Sequence, residues 1–349
     1  MALYEYNTLF NNGNKIGGIY KGGNLIWPVK KTGPDYTEPF YIENITNSKE
    51  TVKVYHQNNY APIITVECST DKIHWSTWCI TDANSSHTLN VGEKLYLRAS
   101  TNSWNGATGA SNKIYGMSKV GGNIMSLLYG NRFKGNEKYF PSGNTYIFYE
   151  LFYYTSVNQN KLIDASKLLL PALSVGEKCY SAMFKSNAKL LYSPQVLPAT
   201  SLGKQCYSAM FNLCSSLITV PEIKAKTTAV RCFQNMFDRC SSITSTPALQ
   251  AKTLSTYCYY NMFYSCTSLT TITELPAATL LSNCYQGMFK NCSKINTIKC
   301  LATTGINWGS STKEWVSGVA ATGTFYKKAG ISWPTGVNGI PSGWTVIEV

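Results

Sequence analysis

Apolar residues in the C-terminal half of the chain return on a fixed beat. Met-Phe pairs stand at Met183, Met210, Met236, Met262 and Met288, separated by 27, 26, 26 and 26 residues. Counting from a leading cysteine, each full unit carries Cys, an aromatic, Met, Phe and Cys at offsets 0, 1, 4, 5 and 8. Two of these are Cys232, Phe233, Met236, Phe237 and Cys240, and then Cys258, Tyr259, Met262, Phe263 and Cys266. That spacing puts every member on one face of a short helix. Leu217, Ile243, Leu269 and Ile295 follow three residues later, and Val220, Ile272 and Ile298 come three after that, which predicts a brief strand. A Pro- and Thr-rich return, such as Leu275-Pro276-Ala277-Ala278-Thr279-Leu280, leads to the next unit. Five or six buried side chains, each contributing about 1.5–3 kcal/mol, do not offset the ordering cost of one isolated unit. The units are therefore expected to be stable only as a stack.

A 26-residue period lies within the leucine-rich-repeat range. The predicted fold is an α/β leucine-rich-repeat solenoid, with one short strand and one short helix per repeat, preceded by a small all-β sandwich. The array degrades at its ends. The first unit has Asn187 where the second Cys stands elsewhere, Leu151-Phe152 reads as a half-repeat, and the beat stops after Cys300. The predicted segments are 1–36 for attachment, 37–108 for the sandwich, 109–150 for a transition and N-terminal cap, 151–300 for the solenoid and 301–349 for a C-terminal cap. Thr51–Tyr55, Ile63–Glu67 and Lys94–Arg98 read as strands. Ser69–Trp78 reads as a hairpin with a core Trp, and Gly121–Gly130 as a strand feeding the solenoid.

The run Cys-Tyr-x-x-Met-Phe-x-x-Cys-x-Ser-Leu-Thr, with Leu-Pro-Ala-x-Thr-Leu between units and Gly-Ile-Pro-Ser-Gly-Trp-Thr-Val near the end, resembles BspA-type bacterial leucine-rich repeats over roughly residues 150–349. Such arrays occur on surface proteins of gut Bacteroidetes and on phages that infect them. The resemblance implies adhesion or recognition and names no ligand, since architecture alone does not fix function. The chain opens Met1-Ala2-Leu3-Tyr4-Glu5-Tyr6-Asn7-Thr8, without the basic and apolar regions of an export signal and without a stretch of 18 apolar residues. Lys15–Pro28 resembles the short Tyr/Gly/Trp hairpins that open many phage tail and fibre proteins. These features point to a virion protein, with Tyr20, Leu25 and Trp27 as candidate attachment residues. A bacterial surface adhesin is the alternative, and a decoration protein without a receptor is the third reading.

Charged residues make up only 14% of the chain, against about 25% for an ordinary soluble domain, which suits a display protein. Of twelve cysteines, nine fall on the repeat lattice. Offsets 0 and 8 lie about 12 Å apart on a helix, too far for a disulfide. Reduced core ladders are therefore expected, with Cys68–Cys79 left open as a pair. Zinc and other metals are not expected, for want of close Cys pairs and of any His after His87. No cofactor is expected, and no enzyme either: His56, His74 and His87 all precede the repeats. The six acids of residues 161–320 occupy scattered repeat positions.

Net charge is +13, and fifteen Lys and Arg face those six acids in residues 161–320. The cations are dispersed, which argues against a nucleic-acid partner and leaves acidic surface polysaccharide or simple solubility. Variable positions on a regular scaffold are where recognition can be written. The candidate receptor-binding residues are accordingly Lys185, Arg239, Tyr260, Tyr264 and Lys290. The expected partners are other virion proteins, through the N-terminus, and a host surface polysaccharide or protein. No membrane insertion is expected. A homotrimer is expected by analogy with fibres, which would raise weak contacts by avidity.

Overall fold

The structure, a computed structural model, describes residues 10–11, 14–15, 19–21, 24–27, 34–56, 64–80, 86–100, 112–141, 145–153, 160–306 and 308–349. The chain divides into two compact units, Met1–Asp35 and Tyr36–Val349. The first holds two antiparallel pairs. β1 (Phe10–Asn11) pairs with β2 (Asn14–Lys15), and β3 (Ile19–Lys21) with β4 (Asn24–Trp27).

The second unit opens with two sheets. Their strands are β5 (Tyr41–Glu43), β6 (Glu50–His56), β7 (Ile64–Ser69), β8 (Ser76–Ile80), β9 (Ser86–Leu89), β10 (Lys94–Ala99), β11 (Asn112–Tyr115), β12 (Lys119–Asn123) and β13 (Asp164–Leu169). One sheet runs β13-β12-β5-β10-β7-β8 and the other β11-β6-β9. Alternating residues supply the core: Val52 and Val54 are buried while Thr51 is exposed. The sheets extend beyond residue 108, because β11, β12 and β13 belong to them. The predicted strand at 121–130 stops at Asn123, and the helix α1 (Ser126–Tyr129) follows. Ser126 ties this turn to the sheet. Its hydroxyl accepts from Phe40 N (2.9 Å) and donates to Leu97 O (2.8 Å). The predicted hairpin is formed by β7 and β8, and their register sets Cys68 opposite Ser76 and Thr65 opposite Cys79. Cys68 is a free, buried thiol.

The repeat region corrects the sequence reading. The chain is not an α/β leucine-rich-repeat solenoid: α1 is the one α-helix among the described residues, and several small sheets replace one strand per repeat. The segments predicted as helices are runs of tight turns. Every fourth residue lies in the left-handed region, at offsets −1, 3 and 7. Examples are Gln205, Ala209 and Leu213, then Arg231, Asn235 and Arg239, with φ between 53° and 64°. Even-offset amides close turns within the unit, as Met210 N to Tyr207 O (3.3 Å). Odd-offset amides leave the unit for the next one, as Phe211 N to Met236 O (2.9 Å) and Leu213 N to Asp238 O (2.9 Å). An α-helix satisfies its amides internally, and here half of them bond to the neighbour instead. These inter-unit bonds hold non-glycine residues in a conformation that costs an L-residue roughly 1–2 kcal/mol.

The predicted strand per repeat is also reduced. β14 (Ser174–Val175) pairs with β16 (Ser201–Leu202), and β15 (Val196–Leu197) with β17 (Glu222–Ile223). Isolated parallel bridges such as Ser245–Thr271 and Thr227–Thr253 serve elsewhere. A parallel sheet of β18 (Thr297–Lys299), β19 (Thr324–Lys327) and β20 (Thr345–Glu348) closes the far end.

The repeating side chains form buried columns. Phe152, Phe184, Phe211, Phe237, Phe263 and Phe289 stack with centroids 5.2–5.8 Å apart. Phe148, Tyr180, Tyr207, Phe233, Tyr259 and Tyr285 form a second column with steps of 5.6–6.0 Å. Both converge on Trp315, which is fully buried. Two further turn ladders thus extend the array, one at residues 146–153 and one at 310–318. The first carries Ile147 and Leu151 at the Cys and Met positions, and the second carries Trp315 at the Met position. The described lattice cysteines are free and buried. Those at offset 8 donate to the preceding unit's Phe carbonyl: Cys214 Sγ to Phe184 O and Cys240 Sγ to Phe211 O, both at 3.1 Å. Asn187 does the same with its amide, donating to Phe152 O at 2.8 Å.

Candidate functional site: the outward face of the turn ladders

Because offsets 0, 1, 4, 5 and 8 point into the core, the side chains at −1, 2, 6 and 7 are left to the surface. Tyr257, Tyr260 and Tyr264 sit there in the fourth cysteine-led unit, all half-buried. The rings of Tyr257 and Tyr260 are 5.9 Å apart. The Arg231 guanidinium lies 4.8 Å from the Tyr257 centroid, and that of Arg239, which is exposed, 5.7 Å from the Tyr264 centroid. Such cation–π contacts contribute about 0.5–1 kcal/mol at exposed sites. Asn291 Nδ2 donates to Tyr264 Oη at 3.5 Å. Lys290 Nζ bonds Glu314 Oε2 at 2.9 Å, and that hydrogen bond holds its ammonium above the usual lysine range, with Tyr264 and Tyr260 adding to the shift.

Four of the five candidates from the sequence are therefore neighbours: Arg239, Tyr260, Tyr264 and Lys290. Lys185 lies in the first cysteine-led unit, with its Nζ 5.2 Å from the Tyr153 centroid. Around it is a second cluster. Tyr146 and Tyr149 have centroids 5.7 Å apart, and Lys178 Nζ lies 4.8 Å from the Tyr146 centroid while donating to its hydroxyl at 2.9 Å. The buried Lys113 pairs with Glu150 (3.0 Å) and lies 4.8 Å from the Tyr153 centroid. Burial and then the Glu150 carboxylate push the Tyr149 phenol upward. The sequence reading missed Tyr146, Tyr149, Tyr153, Lys178, Arg231 and Tyr257. A direct self-comparison finds them, since Tyr-x-x-Tyr-x-x-x-Tyr occurs at 146–153 and again at 257–264.

Between the clusters offsets 2 and 6 carry mostly neutral residues: Ser181, Ser208 and Asn212, which are buried, and the half-buried Gln234. Asp238 is the acid there. Burial raises its carboxyl above the ordinary aspartate value, against the opposing influences of Arg239 and of Asn212, whose Nδ2 donates at 3.0 Å. The candidate attachment residues lie elsewhere. Tyr20 pairs with Leu25, and Ile19 with Trp27, across β3 and β4; their side chains fall outside the described residues.

Phenol hydroxyls, amides and cations supply hydrogen bonds and charge. The lattice thiols offer no nucleophile, because burial raises each of them, Cys179 to about 11 and Cys258 and Cys292 to about 12. His74 is bonded through Nδ1 to Asp71 Oδ2 at 2.7 Å on an exposed turn, and His87 lies beside Trp78, with ring centroids 5.8 Å apart. Among the described residues no group of three His, Cys, Asp or Glu is placed to hold a metal ion. No protein-family model, curated protein or solved structure matches this chain.

Proposed function

We propose that this chain is a phage structural protein of fibre or adhesion type, which uses the outward face of its repeat stack to bind a host-surface receptor or glycan. The observation that carries the reading is the division of labour within each repeat. The inward columns are nearly uniform, whereas the outward columns differ from unit to unit and gather tyrosines and cations in two places. A surface that varies on an unvarying scaffold is suited to recognition. The virion setting rests on the likeness of the repeats, and of Lys15–Pro28, to the surface and phage proteins named above. The N-terminal hairpins would then face other virion proteins, and a symmetric oligomer, a trimer by analogy, would multiply weak contacts.

The test uses the whole chain. Purified protein is incubated with intact Bacteroidetes cells, and gradient-purified particles are searched for its peptides by mass spectrometry. Saturable adsorption together with stoichiometric peptides in particles is the expected result. Peptides confined to the cell envelope would favour the bacterial adhesin, and particle peptides without adsorption would favour a decoration protein.

A further inference from the structure

The two tyrosine clusters are copies of one arrangement. Tyr146, Tyr149 and Tyr153 hold offsets −1, 2 and 6 of the first ladder, as Tyr257, Tyr260 and Tyr264 do in the fifth. In each cluster the rings at −1 and 2 are neighbours, 5.7 Å apart in the first and 5.9 Å in the second. In each, cations from a neighbouring unit lie against the outer two rings, from the following unit in the first cluster and from the preceding unit in the second. Lys178 and Lys185 do so at 4.8 and 5.2 Å in the first cluster, and Arg231 and Arg239 at 4.8 and 5.7 Å in the second. Four ladder steps separate them. At the strand spacing of about 4.8 Å, that places the clusters about 20 Å apart along one face of the stack.

Nothing in the packing of the core demands this repetition, because the same offsets accept Ser181, Gln205, Asn212 and Gln234 in the units between. We infer that the clusters are two related subsites for a single linear acidic polysaccharide, which spans both. Each subsite offers an anionic group a cation, with phenol hydroxyls beside it for hydrogen bonds. Between them the half-buried amides of Gln205 and Gln234 suit uncharged sugar units. A nucleic acid fits less well: duplex DNA carries one charge per about 1.7 Å, whereas the cations of this face stand on the second and fourth ladders, two steps or about 10 Å apart, with Asp238 beside Arg239. The inference rests on the recognition reading above.

The probes are long-chain polyuronate (alginate), the free uronic acid monosaccharide, neutral dextran and single-stranded oligothymidylate. The chain is compared with Lys178→Gln/Lys185→Gln and with Arg231→Gln/Arg239→Gln, which retain every ring. Tyr146→Ala/Tyr153→Ala and Tyr257→Ala/Tyr264→Ala provide a second pair. Losing either subsite is expected to weaken polyuronate binding by about a hundredfold, since the second contact is then intramolecular no longer. The monosaccharide, too short to bridge, should bind weakly and change by less than about twofold when one of two related sites is lost. Tighter binding of oligothymidylate than of polyuronate overturns the inference, as does equal polyuronate binding by all variants or none by the parent. Adsorption of parent and variants to Bacteroidetes cells is measured in parallel. Equal adsorption by all of them sinks the paired subsites and leaves the recognition reading standing, whereas no adsorption by the parent removes that reading itself.

Discussion

At offset 8 a thiol is a hydrogen-bond donor as well as filler. The series from Cys214 to Cys292 points Sγ at the carbonyl of the preceding unit's Phe. Asn187 serves the same bond where the column begins. Burial keeps the lattice thiols protonated, so iodoacetamide at pH 8 should label none of them in the folded chain and all of them in denaturant. Rapid native labelling at Cys258 or Cys292 would contradict the buried ladder. Glu50 is a second buried group with a pH consequence. It is 2% exposed, its Oε2 accepts from Ser118 N and Oγ at 3.0 Å, and its Oε1 has no hydrogen-bond partner. Burial raises its carboxyl above the ordinary glutamate value, against lowering by the Ser118 bonds and Lys161. The folded chain thus holds this proton more tightly than the unfolded chain. The resulting stability is full below about pH 4.3, the unfolded value, and is lost as pH rises through the folded value. Urea midpoints for Glu50→Gln and the parent should coincide near pH 4 and diverge in favour of Gln towards pH 7; a constant gap would refute the assignment. Gly287 concerns packing between units. A Cβ there would meet Asn261 Oδ1 at 2.0 Å, whereas Ala182 and Ala209 carry a Cβ at the same offset and a left-handed φ. Gly287→Ala should therefore lower stability by about 1–3 kcal/mol, and adding Asn261→Ala should recover most of it. An additive double variant would show that the clash is not the cause.

Among the elements, the period and the core-facing residues of each repeat were legible in the sequence, and the element type was not. Apolar residues at 0, 1, 4, 5 and 8 fit a 3.6-residue helix and a succession of four-residue turns almost equally well, because the two periods diverge by less than one residue over that span. The clue lies in Asn283, Gly287 and Asn291, three residues at home in the left-handed region placed at every fourth position. Lys178, Gln205 and Arg231 occupy the same column and hide it, since their conformation is imposed by bonds to the neighbouring unit rather than by local preference. The ladder at 310–318 escaped notice and that at 146–153 reads in the sequence only as a half-repeat at Leu151-Phe152, because Ile147, Leu151 and Trp315 replace the marker residues. Half of the candidate site vanished with them. Far-UV circular dichroism is the direct check on the turn ladders: paired minima at 208 and 222 nm of the strength expected from a helix in every repeat would restore the discarded reading.

For the chain from Tyr36 onward, the sheets and the repeats share one framework. β12 pairs in parallel with β13, Asp164 of β13 bridges to Tyr192, and Phe40 stacks on Phe152 at 6.1 Å, so backbone and aromatic contacts pass between the two without a break. Residues 36–349 should therefore unfold in a single transition, with near- and far-UV signals coincident on heating. Two resolved transitions would show the sheets and the stack to be independent. The turn ladders also have a direction. From the Gln205 ladder to the Gly287 ladder, the odd-offset amides of the turns point towards the following unit, whereas amides of the return segments, such as Ile218 N to Leu191 O, point back. Aligned peptide dipoles add, as they do in a helix, so the column of turns has an electrical sense, acceptor end first and donor end last. The two ends are closed by complementary chemistry. Ile114 donates to the Leu151 carbonyl at the start, and the Asn338 side chain accepts from Glu314 N at the finish. Neither closure can do the other's work. Length can change only by whole repeats set between them, in quanta of 26 residues, and each quantum would move the distal cluster one step further from its twin, making copy number a ruler for the spacing of the two.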